Sequence, residues 1–470
     1  MEADAKRQTG GIGTRSQPGF GKKRVEGKVT LPLRLSALDV ITQHLDEVAK
    51  SIATEETLFD IGRILKQPAV EEAIISRHGR QIYNQVVNQI ITAKFGMDGT
   101  SGLLAHLRNG ATVVGLSWKV ATASLQILGA SNSIVRVGGP WVAAGYAKTA
   151  GGGVPLYTAA RDAMRKSEFM RNRRQNQSPE MASLLDAMKT KWTPDFIARF
   201  IPRELRAMHN FMVRNGFALM SNVQFASVDV PTWWGAYFKA QSTGASEEDA
   251  VAMADQAVVD AQGGGEIYQL AAMQSGAGVK YGALLRILTN FMSYMITTYN
   301  LGVQRVRNAR TAGQIMALGF DMIILAAVPV AGKMALDLIT KGVGEDDEPE
   351  EWAEKYAREQ IAFLFGPFVG ISQFAGSARG DDSYGYKGPA GLMFFDVMNQ
   401  LGSAVAEGKI IDEEEGGLDK NFWRPANRAL GIVLHYPASQ VDASIRGAQA
   451  YFNGETDNPA AIFFGPPPAN

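Results

Sequence analysis

Apolar residues recur at three- and four-residue spacing along most of the chain, which is the pattern of amphipathic helices, and alternating runs long enough for strands are scarce. The first such run, LDVITQHLDEVAKSIATEETLFDIGRILKQP from Leu38, predicts a helix ended by Pro68. A second helix is predicted through VEEAIISRHGRQIYNQVVNQIITAKF, with a turn at Gly96–Gly102. SEEDAVAMADQAVVDAQ opens on the capping-box pattern Ser246-Glu247-Glu248-Asp249, and the glycines at 263–265 break the helix that it starts. YGALLRILTNFMSYMITTYNLGVQRVRNAR predicts another long helix. The predicted fold class is therefore mainly α, a bundled or elongated multi-helix assembly with apolar helical hairpins and little or no sheet.

Two stretches depart from amphipathic patterning. Asn109 to Tyr146 reads NGATVVGLSWKVATASLQILGASNSIVRVGGPWVAAGY, with Lys119 and Arg136 its only charges. Small residues (Gly115, Ala121, Ala123, Ser124, Gly129, Ala130) stand where helices can approach closely. The stretch fits a membrane hairpin and the buried hairpin of a large core equally. The most hydrophobic stretch is IMALGFDMIILAAVPVAGKMALDLITKGV, Ile315 to Val343. Its uncharged centre between Asp321 and Lys333 is too short for a hydrocarbon layer of about 30 Å. The longer run from Met316 to Leu336 suffices but encloses both charges, each costing about 2.5–3.5 kcal/mol at a helix centre. Pro329 predicts a kink there. A lumen or partner helices would have to meet Lys119, Asp321 and Lys333, which predicts a homo-oligomer.

An acidic link, GVGEDDEPEEWAEKYARE, joins this helix to the uncharged QIAFLFGPFVGISQFAGSA, and the two form a helical-hairpin pattern. Candidate membrane or partner contacts are Lys119, Asp321, Leu325, Pro329, Lys333, Phe363, Phe365 and Phe368, together with Trp233 and Trp234 from DVPTWWGAYFKA. The paired tryptophans suit either a membrane interface or a plug between core helices. Composition divides the chain into a basic Gly-rich arm (1–35), an N-terminal helical region with the first apolar hairpin (36–150), a central helical region (151–310), the second apolar hairpin (311–380) and a C-terminal helical and loop region (381–470).

Charge and composition narrow the chemistry. Lys+Arg 47 balance Asp+Glu 47 over 470 residues, so attraction to nucleic acid needs a local patch. Arg171, Arg173 and Arg174 in MRNRRQNQ are the candidates for phosphate or lipid-headgroup contact, against the alternative of a solvated face. The 50 glycines exceed the usual proportion of about 7% and suit close helix–helix approach. The absence of Cys excludes disulfides, thiolate zinc sites and a cysteine nucleophile. The first residues contain no apolar signal-peptide region. HExxH, GxSxG and GxxxxGK[ST] are all missing, and the five His are scattered without ligand spacing. RGDDSYG lacks flanking strand patterns, and DEEEGGLDKN has Trp423 where an EF-hand needs Glu. A non-enzymatic chain without cofactor, metal or small-molecule substrate is expected.

Taken in order, NGATVVGLSWKVATASLQILGASNSIVRVGGPWV, ADQAVVDAQGGGEIYQLAAMQ, LRILTNFMSYMITTYNLGVQRV, the apolar helix with EDDEPEEWAEKYARE, FLFGPFVGISQF and LHYPASQVDASIRGAQAYFNGE resemble one family. It is the carboxy-terminal part of large phage and prophage polyvalent proteins and of podovirus-type internal virion (ejection) proteins. The resemblance covers the chain from about residue 100 onward. It implies packaging in the virion interior and delivery with the DNA into the host envelope and inner membrane, where some such proteins form a conduit. The implied partners are other virion proteins, further copies of the chain, host membrane and phage DNA. A soluble scaffold that docks attached enzymatic domains to the virion is the other role it implies.

Overall fold

The computed structural model describes residues 56–95, 102–150, 153–174, 215–264, 293–341, 356–357, 360, 393–412 and 417–466. Among them regular structure is helical apart from one antiparallel pairing, β1 (Ile411–Asp412) with β2 (Gly417–Leu418), so the fold is mainly α. The chain divides into two compact units, Met1–Gly99 with Ala271–Arg286, and Thr100–Leu270 with Ile287–Asn470.

In the first unit, a helical stretch over 56–65 is followed by α1 (Pro68–His78) and α2 (Arg80–Phe95). Pro68 sits in the first turn of α1, where its missing N–H costs nothing, so it starts a helix as well as limiting the preceding one. The single helix predicted from Val70 to Phe95 is in fact two. Gly79 adopts φ +85°, a left-handed conformation that only glycine takes readily, and breaks the run. The Tyr83 hydroxyl donates to the Leu65 carbonyl at 3.0 Å and ties α2 back to the earlier helix.

The second unit begins with α3 (Gly102–Leu116), α4 (Val120–Leu125), a 3-10 turn (Gln126–Gly129), α5 (Ala130–Val137), α6 (Gly139–Thr149), α7 (Gly153–Lys166) and α8 (Glu168–Arg173). It continues with α9 (Ala218–Gln224), a π turn (Phe225–Asp229), α10 (Val230–Ser242), α11 (Glu247–Gln262), α12 (Ser293–Asn308) and α13 (Ala312–Lys341). Then come α14 (Met393–Ala406), α15 (Lys420–Leu434), α16 (Ala438–Phe452) and α17 (Ala461–Phe464).

The main core surrounds α10, whose residues Val230 to Tyr237 are all buried against α5, α6, α7 and α11. Pro231 has no N–H to offer Ser227 one turn back, and the Tyr146 hydroxyl fills that place by donating to the Ser227 carbonyl at 2.7 Å. Trp233 is fully buried and Trp234 nearly so. Trp233 Nε1 donates to Asp255 Oδ1 at 2.7 Å, and Trp234 Nε1 to the Ala159 carbonyl at 3.0 Å. With both indole N–H groups met inside the fold, the pair plugs the core and offers nothing to a membrane interface.

The glycine excess has a packing cause. A Cβ on Gly145 would lie 1.9 Å from the Pro231 carbonyl oxygen, and one on Gly235 2.5 Å from that of Trp141, so α6 and α10 touch backbone to backbone. The same holds for Gly110 of α3 against Ile432 of α15. That contact lies in a second core cluster, formed by Ala111, Val114, Val397, Ile432 and Ala438.

Of the two alternatives for 109–146, burial inside the unit is the one this fold adopts. The stretch bends by 79° between Leu116 and Val120, at Trp118 with φ +59°, and so forms no straight rod. Several of its polar groups meet partners within the core. Asn132 Nδ2 donates to the Ala261 carbonyl and to Thr298 Oγ1, both at 3.0 Å, and Gln262 Nε2 donates to the Gly129 carbonyl at 2.8 Å. At the C-terminal end of α5, Arg305 Nη2 and Lys239 Nζ donate to the carbonyls of Val135 and Val137, each at 2.6 Å. Two cations thus cover the negative end of the helix dipole.

Asp255 accepts from Ser167 Oγ at 2.7 Å as well as from Trp233. Burial pushes its carboxyl above the ordinary range, while these two hydrogen bonds pull the other way. A raised folded-state pKa adds stability below the unfolded carboxylate range that is lost as pH rises through the folded value. Asp255→Asn keeps an acceptor oxygen for both donors without the charge. It is expected to match or exceed the parent in thermal midpoint at pH 8, with that advantage shrinking as pH falls to 4. An advantage that grows toward acid pH would contradict this assignment.

Candidate functional site

The surface that needs a functional account is the outer side of α13. Its start is set by a reciprocal capping box: Thr311 Oγ1 accepts from the Gln314 backbone N–H at 3.3 Å, and Gln314 Oε1 accepts from the Thr311 N–H at 3.1 Å. The sequence carries this cap as Thr311-x-x-Gln314 just before the apolar run, a signal that apolar periodicity alone does not reveal. Pro329 lies inside the helix, buried, and does not end it.

One side of α13 is seated on the unit. Leu325, Val330 and Met334 are buried, and Leu325 packs in a cluster with Val135 of α5 and Leu301 of α12. Asp321 is half-buried and forms an ion pair with Arg305 of α12 at 2.9 Å. Arg305 is therefore shared between a carboxylate on α13 and a carbonyl at the end of α5, which pins three helices at one point. The expectation that Asp321 requires a lumen or a sister subunit is corrected accordingly, because its countercharge comes from the same chain. Lys119 at the α3–α4 bend and Lys333 on α13 are each half-buried.

The other side is open. Met316 (70% exposed), Phe320 (63%), Ile323 (60%) and Val328 (42%) project from it, followed by exposed Ala331 and Ala335. Steps of three to five residues spread these positions over about 140° of the helix circumference, a broad apolar stripe that shifts round the helix beyond Ile323. Ala312–Ala335 has a mean hydropathy of 2.1 with only 17% of its most apolar window buried. At 1.5 Å per residue that length gives roughly 36 Å, enough for a hydrocarbon layer of about 30 Å. Among the described residues no other unbroken helix is long and apolar enough to cross a membrane.

The remaining candidates separate. Phe363, Phe365 and Phe368 lie outside the described residues. Arg171 and Arg174 are exposed at the end of α8. Arg173 is not available to phosphate, which corrects its assignment as a headgroup contact. Its side chain and that of Asp229 are both fully buried in an ion pair at 3.0 Å, and Nη1 donates to the Gly263 carbonyl at 2.7 Å. Nothing in the local sequence separates it from its two neighbours, since only the π turn that carries Asp229 aims a carboxylate at it. Lys166, Tyr237 and Glu247 form a further cluster at the edge of the core, in which Lys166 Nζ and the Tyr237 hydroxyl both donate to Glu247. It joins α7, α10 and the first turn of α11. Among the described residues no group of His, Asp or Glu is placed to hold a metal ion. Comparison of the chain with protein-family models, curated proteins and solved structures finds no match.

Proposed function

We propose that the chain is a non-enzymatic helical protein that uses α13 as its membrane-contacting element. The observation that carries this reading is the uncharged, exposed apolar stripe of α13, which extends over the length of a bilayer core while Asp321, the acidic residue within Ala312–Ala335, is paired on the inner side. Placing such a stripe in acyl chains removes roughly 25 cal/mol per Å² of apolar surface from water. Joined to the resemblance noted above, the role is that of a phage internal virion (ejection) protein that helps to carry DNA across the host envelope. Its partners are then other virion proteins, further copies of itself and host membrane.

One observation favours the scaffold role instead. The other apolar stretch, 109–146, is committed to internal packing, and Asn132 and Arg136 pair within the unit, so a single exposed helix could serve as a docking rib for another protein.

The experiment is flotation of the purified chain with phosphatidylcholine vesicles, followed by carbonate washing and a dye-release assay. Carbonate-resistant protein together with leakage is expected. Ile323→Asp alters an exposed position, so its helical signal and thermal midpoint should stay within error of the parent while carbonate resistance disappears. Leu325→Asp is a poor substitute, because Leu325 is buried and a charge there unfolds the seat of the helix. Complete release of the parent into the wash, without leakage, would give the scaffold role.

A further inference from the structure

We propose that the corner between α12 and α13 is a docking tip for anionic lipid, and that it determines which end of α13 meets the bilayer first. This inference rests on the reading of α13 as a membrane-contacting helix. From Ile267 to Phe320 the chain contains no Asp or Glu. Within that acid-free stretch, Arg307 and Arg310 are exposed at the end of α12, whereas Arg305 is occupied by Asp321 and the Val135 carbonyl. Interleaved with the two exposed arginines are Val306, Ile315 and Met316, all more than half exposed. The first turns of α13, from Ala312 to Ala317, are exposed on every side, so the corner projects from its seat.

Cations interleaved with apolar side chains match the boundary between anionic headgroups and acyl chains. Duplex DNA satisfies only half of this chemistry, because Val306, Ile315 and Met316 gain nothing against a phosphate backbone. The two ends of the apolar helix also differ in charge. The acidic run Glu345-Asp346-Asp347-Glu348 follows its far end, so an anionic surface attracts the α12–α13 corner and repels the other terminus. This asymmetry orients the helix before it inserts.

The test uses the full chain, phosphatidylcholine vesicles with and without phosphatidylglycerol, and the double variant Arg307→Gln/Arg310→Gln. The parent should cosediment more strongly with the anionic vesicles, and added salt should weaken that preference. The double variant should lose roughly tenfold or more of its anionic binding while keeping its neutral-vesicle binding and carbonate resistance. Ile315→Ser/Met316→Ser, at exposed positions, should weaken binding to both vesicle types.

If the arginine variant binds anionic vesicles as the parent does and is still carbonate-resistant, the tip is refuted and the reading of α13 stands. If binding is salt-sensitive and arginine-dependent but carbonate strips the chain completely, the tip stands and the reading of α13 falls. Displacement of the parent from vesicles by a short DNA duplex or by millimolar inorganic phosphate, with that competitor's binding lost in the arginine variant, would make the corner a phosphate site and overturn the lipid assignment.

Discussion

Arg173→Met should remove about 3–5 kcal/mol from the stability of the fold, the usual cost of orphaning one partner of a buried ion pair. Both side chains are fully buried, and the substitution leaves Asp229 without its cation and the Gly263 carbonyl without a donor. Burial already pushes the Asp229 carboxyl upward, with Arg173 the chief opposing influence. In the variant the carboxyl rises further, so proton uptake by the folded state becomes more favourable. A raised folded-state pKa gives stability at low pH that is lost as pH rises. The variant should therefore lose most relative to the parent near pH 7.5 and least near pH 4.5, as measured by urea unfolding at both. Adding Asp229→Asn should recover part of the loss at neutral pH, because no isolated charge is then buried. A cost below about 1 kcal/mol at neutral pH would show that the pair does not hold α8 to the π turn.

The second large effect is expected at Gly145. Gly145→Ala places a methyl group 1.9 Å from the Pro231 carbonyl oxygen and 2.9 Å from the Gly235 amide nitrogen, and neither backbone atom can turn aside. Separation of α6 from α10 follows, at a cost of about 3 kcal/mol, the upper part of the range for overpacked cores. Gly319→Ala in α13 is the control. Nothing lies within 4 Å of the new methyl, so the helix gains about 0.5–1 kcal/mol from the better propensity of alanine. Thermal melts of the two variants should move in opposite directions. Equal midpoints would remove the close-approach account of the glycine content.

Local signals explain most of what sequence reading located. The capping box at Ser246 is formed, with the Asp249 N–H donating to Ser246 Oγ at 3.1 Å, and the helix it opens stops at Gly263 with φ +77°. The errors have equally local causes. A Gly within an apolar-periodic run is compatible with a continuous helix, so the left-handed break at Gly79 left no separate mark in the periodicity. Pairing across long distances is another matter. Arg171, Arg173 and Arg174 are chemically alike in the sequence, and only the docking of α8 against the π turn buries one and leaves two exposed. The charges of the apolar helix follow the same rule, since Asp321 finds its partner in Arg305 on the neighbouring helix.

Periodicity, caps and the spacing of charge were enough to specify a helical chain, its break at Gly263, and an apolar run of bilayer length that encloses Asp321 and Lys333, because each depends on residues within a few turns of one another. Which apolar run is sealed and which is open could be learned from the fold alone. Burial is a property of neighbours brought together from distant parts of the chain, as when Asn132 meets Thr298 and Gly145 meets Pro231. The run over 109–146 found such neighbours on its polar and apolar sides alike. For α13 they cover one side, and the exposed stripe on the other follows from that difference in packing.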